Sequence, residues 1–202
     1  QGVIACAHGG TTMELWDPSG RRIGSESLYG AMLRRVQKNG GRVAGLVWYQ
    51  GCSDACCEFH SQYTHRMVRF VKSLRKDLKT PELPIVMAQI SRTCGLRDGV
   101  SWNSVQHQQY KLPARIKYLA VVPTVDLTLD DGIHIDQQSS AKLGKRLCQA
   151  ALFLTNKNYR KYAPIELKKV EVLTNRITSC ADLKVTFRNV IGSLQSDGSR
   201  AE

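Results

Sequence analysis

With 202 residues, 42% hydrophobic and 23% charged, the chain has the composition of an ordinary folded protein, long enough for one sizeable core and part of a second unit. No apolar run approaches the roughly 20 residues that a membrane helix requires, and no internal repeat or low-complexity tract is present. The formal net charge of +12 leaves a polyanion-binding module open, to be decided by how the cations are distributed.

Residues 3–12, Val-Ile-Ala-Cys-Ala-His-Gly-Gly-Thr-Thr, read as a buried strand running into a Gly-Gly turn, with Trp16 close behind. A helix is predicted over 27–39, with Leu28, Met32, Leu33 and Val36 on one face. Residues 43–54 read as a second strand ending in a polar, Gly-containing loop. The helix predicted over 58–78 turns Tyr63, Met67, Phe70, Val71 and Leu74 inward. A third strand is predicted over 83–91, and helices over 100–112 and 138–154. Continuous apolar runs indicate strands covered on both faces. Strands that alternate with helices indicate an α/β sandwich around a parallel sheet.

Residues 156–164, rich in Asn, Lys and Tyr and ending in Pro164, suit an exposed linker. Beyond it, 165–172 and 183–190 alternate like strands, and two strands do not normally stand alone in water. The expected organisation is therefore an α/β unit over 1–155, a linker over 156–164, and the start of a β-rich accessory domain over 165–202. Because Gln1 opens directly into a predicted buried strand, the α/β unit is expected to be incomplete on its N-terminal side.

The run Asp130-Asp131-Gly132-Ile133-His134-Ile135-Asp136 carries the clearest chemistry. A carboxylate three positions before an imidazole can accept the Nδ1 proton and fix the tautomer, so that Nε2 is free to take a proton from a hydroxyl nucleophile. The plainer alternative is that Asp131 and His134 only cap the helix that follows, a common fate for polar residues in such a loop. In a parallel sheet, loops at the carboxyl ends of strands form the ligand crevice. Gly9-Gly10, Gln50-Gly51 and Asp131 to His134 all fall at such positions.

Seven cysteines, an odd number, define no disulfide framework. Cys6, Cys148 and Cys180 read as buried apolar residues. Cys52 and Cys56 have no second pair at zinc-like spacing, and His60 and His65 read as helix-surface residues, so no metal site is expected. Six cations, Arg66, Arg69, Lys72, Arg75, Lys76 and Lys79, recur along the 58–78 helix and its end. They interleave with core residues and accompany no nucleic-acid motif. A solvated helix face is the favoured interpretation, and no nucleic-acid partner is expected.

Four segments in order, Gly9-Gly10-Thr11 with Trp16, Trp48-Tyr49-Gln50-Gly51, the strand opened by Leu83-Pro84, and Asp131-Gly132-Ile133-His134 before a helix with Leu143-Gly144, resemble the sialate O-acetylesterase domain family. That family belongs to the SGNH hydrolases and includes carbohydrate acetylesterases; the resemblance spans about residues 1–154. It implies a three-layer α/β/α sandwich with a central parallel sheet, SGNH- or flavodoxin-like. It further implies deacetylation of an O-acetylated sugar, such as sialic acid or xylan, through an acyl-enzyme and without a cofactor. His134 would act as general base and then acid, with Asp131 orienting it. Gly10 and Gln50 would supply a backbone N–H and a side-chain amide to the oxyanion; a turn glycine and a loop-bracing amide are the plainer alternatives.

The same resemblance exposes two departures. Relatives carry an earlier strand ending in Gly-Gln-Ser-Asn, whose serine is the nucleophile, and no such segment lies between Gln1 and Glu202. Ser53 is the only rival in this chain. Cys52 stands where relatives usually carry Glu, and a thiol is a poor substitute for a carboxylate acceptor. A degenerate, non-catalytic carbohydrate-binding relative is therefore the second reading. The sugar, the compartment (relatives are often exported) and the oligomeric state stay open.

Overall fold

The computed structural model describes residues 2–58, 60–95, 99–156, 158–159, 163–174 and 181–193. Strands β1 (Leu46–Tyr49), β2 (Ile85–Ala88) and β3 (Leu119–Val122) form a parallel sheet in that order. The register is unbroken, with Leu46, Ile85 and Leu119 level at one end and Tyr49, Ala88 and Val122 level at the other. The loops that follow all three strands thus leave from one edge of the sheet.

Side chains alternate across each strand, which sorts the core into two parts. Trp48, Ile85, Met87 and Leu119 join one cluster with Met32 of α1 (Leu28–Lys38), Phe70 of α3 (Tyr63–Asp77) and Trp102 of α4 (Gly99–Lys111). Val86, Ala88, Ala120 and Val122 meet Leu143 and Ala150 of α5 (Gln137–Thr155) on the opposite face. Helices on both faces give the three-layer α/β/α arrangement. Aromatic rings lock β1 to the loop before α1: Trp16 meets Trp48 edge-on at 5.2 Å, and Trp48 lies 4.8 Å from Phe70.

The helices follow their sequence signals closely. Ser27 caps α1, its Oγ accepting from the Gly30 N–H at 3.0 Å, and Asn39 ends it. The five inward residues expected on the long helix are all buried. That helix begins at Tyr63 rather than near 58, after a short 3-10 turn, His60–Gln62.

Two expectations fail, and one strand forms where none was expected. Residues 3–12 form no strand: Val3 is 95% exposed, and the Ala5 carbonyl accepts from Arg35 at 2.8 Å. An extended segment becomes a strand only beside a hydrogen-bonded neighbour, and none pairs with this one among the described residues. Conversely, β3 forms from Leu119–Val122, a run that carries no earlier expectation; it pairs with β2 along its whole length. Cys148 is exposed and Cys6 half-buried, whereas Cys180 lies outside the described residues. Toward the chain's end, β4 (Glu166–Thr174) and β5 (Ala181–Arg188) form within about two residues of the two alternating segments, and they pair antiparallel with Val172 and Leu183 exposed. Among the described residues, no helix is long and apolar enough to cross a membrane.

Candidate functional site

The loop after β3 is ordered largely by one carboxylate. Asp131 Oδ1 accepts from the N–H groups of Ile133 and His134, both at 2.8 Å, and Oδ2 lies 2.6 Å from His134 Nδ1. An Asx-turn of this kind lets a side chain stand in for a backbone hydrogen bond. An isolated bridge between Leu129 and Ile135 closes the base of the turn. The Cys94 N–H donates to Gly132 O at 2.8 Å, and a Cβ on Gly132 would stand 2.9 Å from Cys94 O. Glycine is required there by the close approach of two backbones.

Helix α5 has its own cap. Asp136 Oδ1 accepts from the Ser139 N–H at 2.6 Å, and its Oδ2 accepts from the Thr128 hydroxyl. The helix-cap alternative for Asp131 and His134 is thereby removed. Their side chains are 55% and 68% exposed, so hydrogen bonding controls the carboxylate more than burial does. The His134 ring first, and then the two backbone N–H groups, hold the Asp131 carboxyl down at about 2. It is ionised at neutral pH, and the contact is lost only as pH falls through that value.

After β1 the chain turns sharply at Gly51, whose φ of +144° is open to glycine alone; a Cβ would also strike Gln109 Nε2 at 2.7 Å. Gln50 is held at its amide nitrogen and at its backbone carbonyl. Its Nε2 donates to Thr11 O at 2.9 Å and to Asp54 Oδ2 at 2.6 Å. Its own carbonyl accepts from the Tyr63 hydroxyl at 3.1 Å and from Gln109 Nε2 at 3.0 Å. Both N–H groups of the Gln50 amide are engaged, so donation to an oxyanion would require one of them to be released.

Asp54 is the residue that sequence reasoning missed. It sits on the single turn α2 (Cys52–Ala55), fully buried, with Oδ2 accepting from the Met13 N–H at 2.9 Å as well as from Gln50. Burial raises its carboxyl despite those bonds. Asp54 Oδ1 and Gln50 Oε1 are buried with no hydrogen-bond partner among the described residues. Through Asp54 and Thr11 the loop after β1 is tied to residues 10–13, and Trp16 Nε1 adds a donor to Thr11 Oγ1 at 3.0 Å. The only sequence signal was an acid four residues beyond Gln50. Gly10 lies exposed at the start of this segment, with φ at +66°.

Cys52 heads α2, half-buried. Burial, then neighbouring Cys56, pushes its thiol up to about 11, and the Asp131 carboxylate adds to the effect. The thiol is protonated at neutral pH, and Cys52 and Ile133 pack against the same core cluster, which places the loops after β1 and β3 over one face of the sheet. Ser53 follows it on α2. Among the described residues, no group of three or more His, Cys, Asp or Glu is placed to hold a metal ion.

Known proteins agree with this architecture. The family model for carbohydrate esterases, sialic acid-specific acetylesterase, matches residues 1–153. A probable carbohydrate esterase of Arabidopsis thaliana is 31% identical over 157 residues, which cover 75% of this chain and 55% of that protein. The crystal structure of the same Arabidopsis protein superposes with a TM-score of 0.61 over 73% of this chain and 58% of that one. A carbohydrate acetylesterase from Xanthomonas citri shares the fold, with a TM-score of 0.68 at 21% identity, over 82% of this chain and 39% of that one. The chain spans about half the length of the curated relative that it matches. With the family model covering most of its residues, the chain belongs to the sialic acid-specific acetylesterase family of carbohydrate esterases.

Proposed function

We propose that this chain carries the acid–base half of a carbohydrate O-acetylesterase site, with the nucleophilic serine supplied by a segment outside these 202 residues. The observation that carries the proposal is the 2.6 Å contact between Asp131 Oδ2 and His134 Nδ1 on a side chain that is two-thirds exposed. The carboxylate takes the Nδ1 proton as a hydrogen bond and leaves Nε2 directed to act as base. In the first step Nε2 removes the serine proton as the oxygen attacks the acetyl carbonyl. The imidazolium then protonates the departing sugar oxygen, and a water activated by the same nitrogen releases acetate. The Gly10 backbone N–H is proposed as an oxyanion donor, and Gln50 as the brace that holds Thr11 beside it. The substrate is an acetylated glycan; which sugar it contains is set by walls that this chain shares with the serine-bearing segment. The β4–β5 hairpin is assigned to a separate accessory unit that follows the α/β domain.

A second reading, a carbohydrate-binding relative without turnover, is favoured by Cys52. Its protonated thiol cannot accept as the family's usual glutamate would.

The test is a comparison of two proteins. The 202-residue chain alone is expected to show no serine-dependent hydrolysis of p-nitrophenyl acetate, whereas the chain joined to a Gly-Gln-Ser-Asn strand should release acetate from acetylated xylan or sialic acid. Turnover by the chain alone that disappears in Ser53→Ala would transfer the nucleophile role to Ser53. Failure of the joined, folded protein to turn over any acetyl ester would favour the binding-only relative. In the active protein, Gly132→Ala should lower kcat roughly 10²-fold by displacing the turn a fraction of an ångström. Its melting temperature should fall as well, because the added Cβ would stand 2.9 Å from a backbone oxygen, Cys94 O, and the two backbones must part.

A further inference from the structure

The cations on α3 divide into two groups. Arg69 is paired with Asp17 at 2.7 Å and Arg66 with Glu14 at 3.5 Å, which neutralises the first half of the helix. Lys72, Lys76 and Lys79, at the far end, form no ion pair among the described residues. They line a groove of about 800 Å³ that also receives Arg115 and Lys117 from the approach to β3. All five are exposed, and the one acid in the wall is Glu82, which already accepts from the Tyr118 hydroxyl at 2.8 Å. Arg75 belongs to the frame of the groove: its guanidinium is committed to the carbonyls of Leu83 and Lys117, at 2.8 and 2.7 Å.

Charges at a helix C-terminus alone would be explained by the helix dipole. Two features go beyond that. Arg115 and Lys117 come from a different element yet converge on the same groove. Moreover, two of the three non-glycine residues with positive φ among the described residues, Lys79 at 54° and Tyr118 at 56°, line it. Lys79 occupies the position after the cap of α3 where glycine is the ordinary residue, with Thr80 N–H returning to Arg75 O at 2.9 Å. A strained backbone retained at a cationic side chain points to a use for that side chain.

We propose that this groove, at the opposite end of the sheet from Asp131 and His134, binds an acidic glycan through its carboxylate or sulfate groups. This rests on the carbohydrate reading given above. Pro81, Ile116 and Tyr118 supply an apolar floor for sugar rings, and Glu82 supplies an acceptor for a hydroxyl. A single aromatic residue in the lining gives no platform for the successive bases of a nucleic acid. The groove is therefore an anchoring subsite for a charged polysaccharide, remote from the ester that is cut.

Binding is read by fluorescence titration of the 202-residue chain, without any turnover, so loss of the esterase assignment leaves the result interpretable. Labelled hexagalacturonate tests carboxylates, a heparin hexasaccharide tests sulfates, and cellohexaose is the neutral comparison. At least one acidic hexamer should bind, with affinity falling roughly 50- to 150-fold between 50 and 200 mM salt for about four contacts. Lys79→Gly/Lys117→Gln should weaken it at least tenfold while the melting temperature holds or rises, since glycine relieves the positive φ. The charge-matched Lys145→Gln/Lys168→Gln, at exposed sites elsewhere, should bind within twofold of wild type. Equal losses in both double variants would overturn the proposal in favour of diffuse attraction. Equal binding of cellohexaose would overturn the role of charge, and tighter binding of duplex DNA than of either acidic hexamer would replace the glycan with nucleic acid.

Discussion

Alanine in place of His134 is expected to lower kcat/KM for acetyl-ester hydrolysis by roughly 10⁶-fold, in a protein that joins this chain to the serine-bearing block. Asparagine at Asp131 should cost about 10⁴-fold. The second variant is the sharper test. An asparagine Oδ1 can still accept from the N–H groups of Ile133 and His134, which now bond to Asp131 Oδ1, so the turn survives. The amide nitrogen would then face His134 Nδ1, where Asp131 Oδ2 now lies at 2.6 Å. An N–H in that place forces Nδ1 to accept and moves the ring proton to Nε2, the atom that must act as base. Because the Asp131 carboxyl is held at about 2, no inflection of the rate profile within the ordinary carboxylate range belongs to it. Steady-state kinetics with a melting curve decide the matter. A folded Asp131→Asn protein within tenfold of wild-type kcat/KM would show that the dyad orders a turn and nothing more.

The Asp131–His134 pair was legible because both partners and the glycine between them lie within four residues, where spacing alone constrains geometry. The helices were legible for a similar reason: Ser27, Asn39 and the stripe from Tyr63 to Leu74 are local signals, and the structure follows them. What sequence could not show depends on partners far along the chain. Residues 3–12 have the composition of a strand, but a ladder requires a neighbour, and the segment, largely exposed, finds none among the described residues. Leu119–Val122, no shorter than β1 or β2, becomes a strand by alignment with β2 along its whole length. Asp54 reads as an unremarkable acid until the fold brings Met13, 41 positions away, onto its carboxylate. The cation stripe looked uniform in sequence, and only the positions of Glu14 and Asp17 reveal which half is neutralised.

Asp54 and Gln50 can be separated by four measurements on two substitutions at Asp54 and one at Gln50. Alanine at Asp54 removes the acceptor of the Met13 N–H and of Gln50 Nε2, leaving two buried donors at about 1–3 kcal/mol each. The melting temperature should fall by roughly 5–20 °C, and activity should fall with it as the Gly10–Thr11 segment comes loose. Asparagine at the same position keeps an acceptor for both donors but places its amide NH2 where Oδ1 is buried without a partner among the described residues, so its melting temperature should lie between those of Asp54→Ala and wild type. Burial raises the Asp54 carboxyl in the folded state, so the unfolded chain releases that proton first and wild-type stability declines as pH rises through the interval above 3.8. Asp54→Asn should lack that slope. Gln50→Ala should lower kcat and melting temperature together, because its amide holds Thr11 O and Asp54 Oδ2 rather than pointing into open space. If instead kcat falls 10²- to 10³-fold with KM and melting temperature unchanged, the amide swings free in the transition state and donates to the oxyanion, and the bracing role assigned to Gln50 fails.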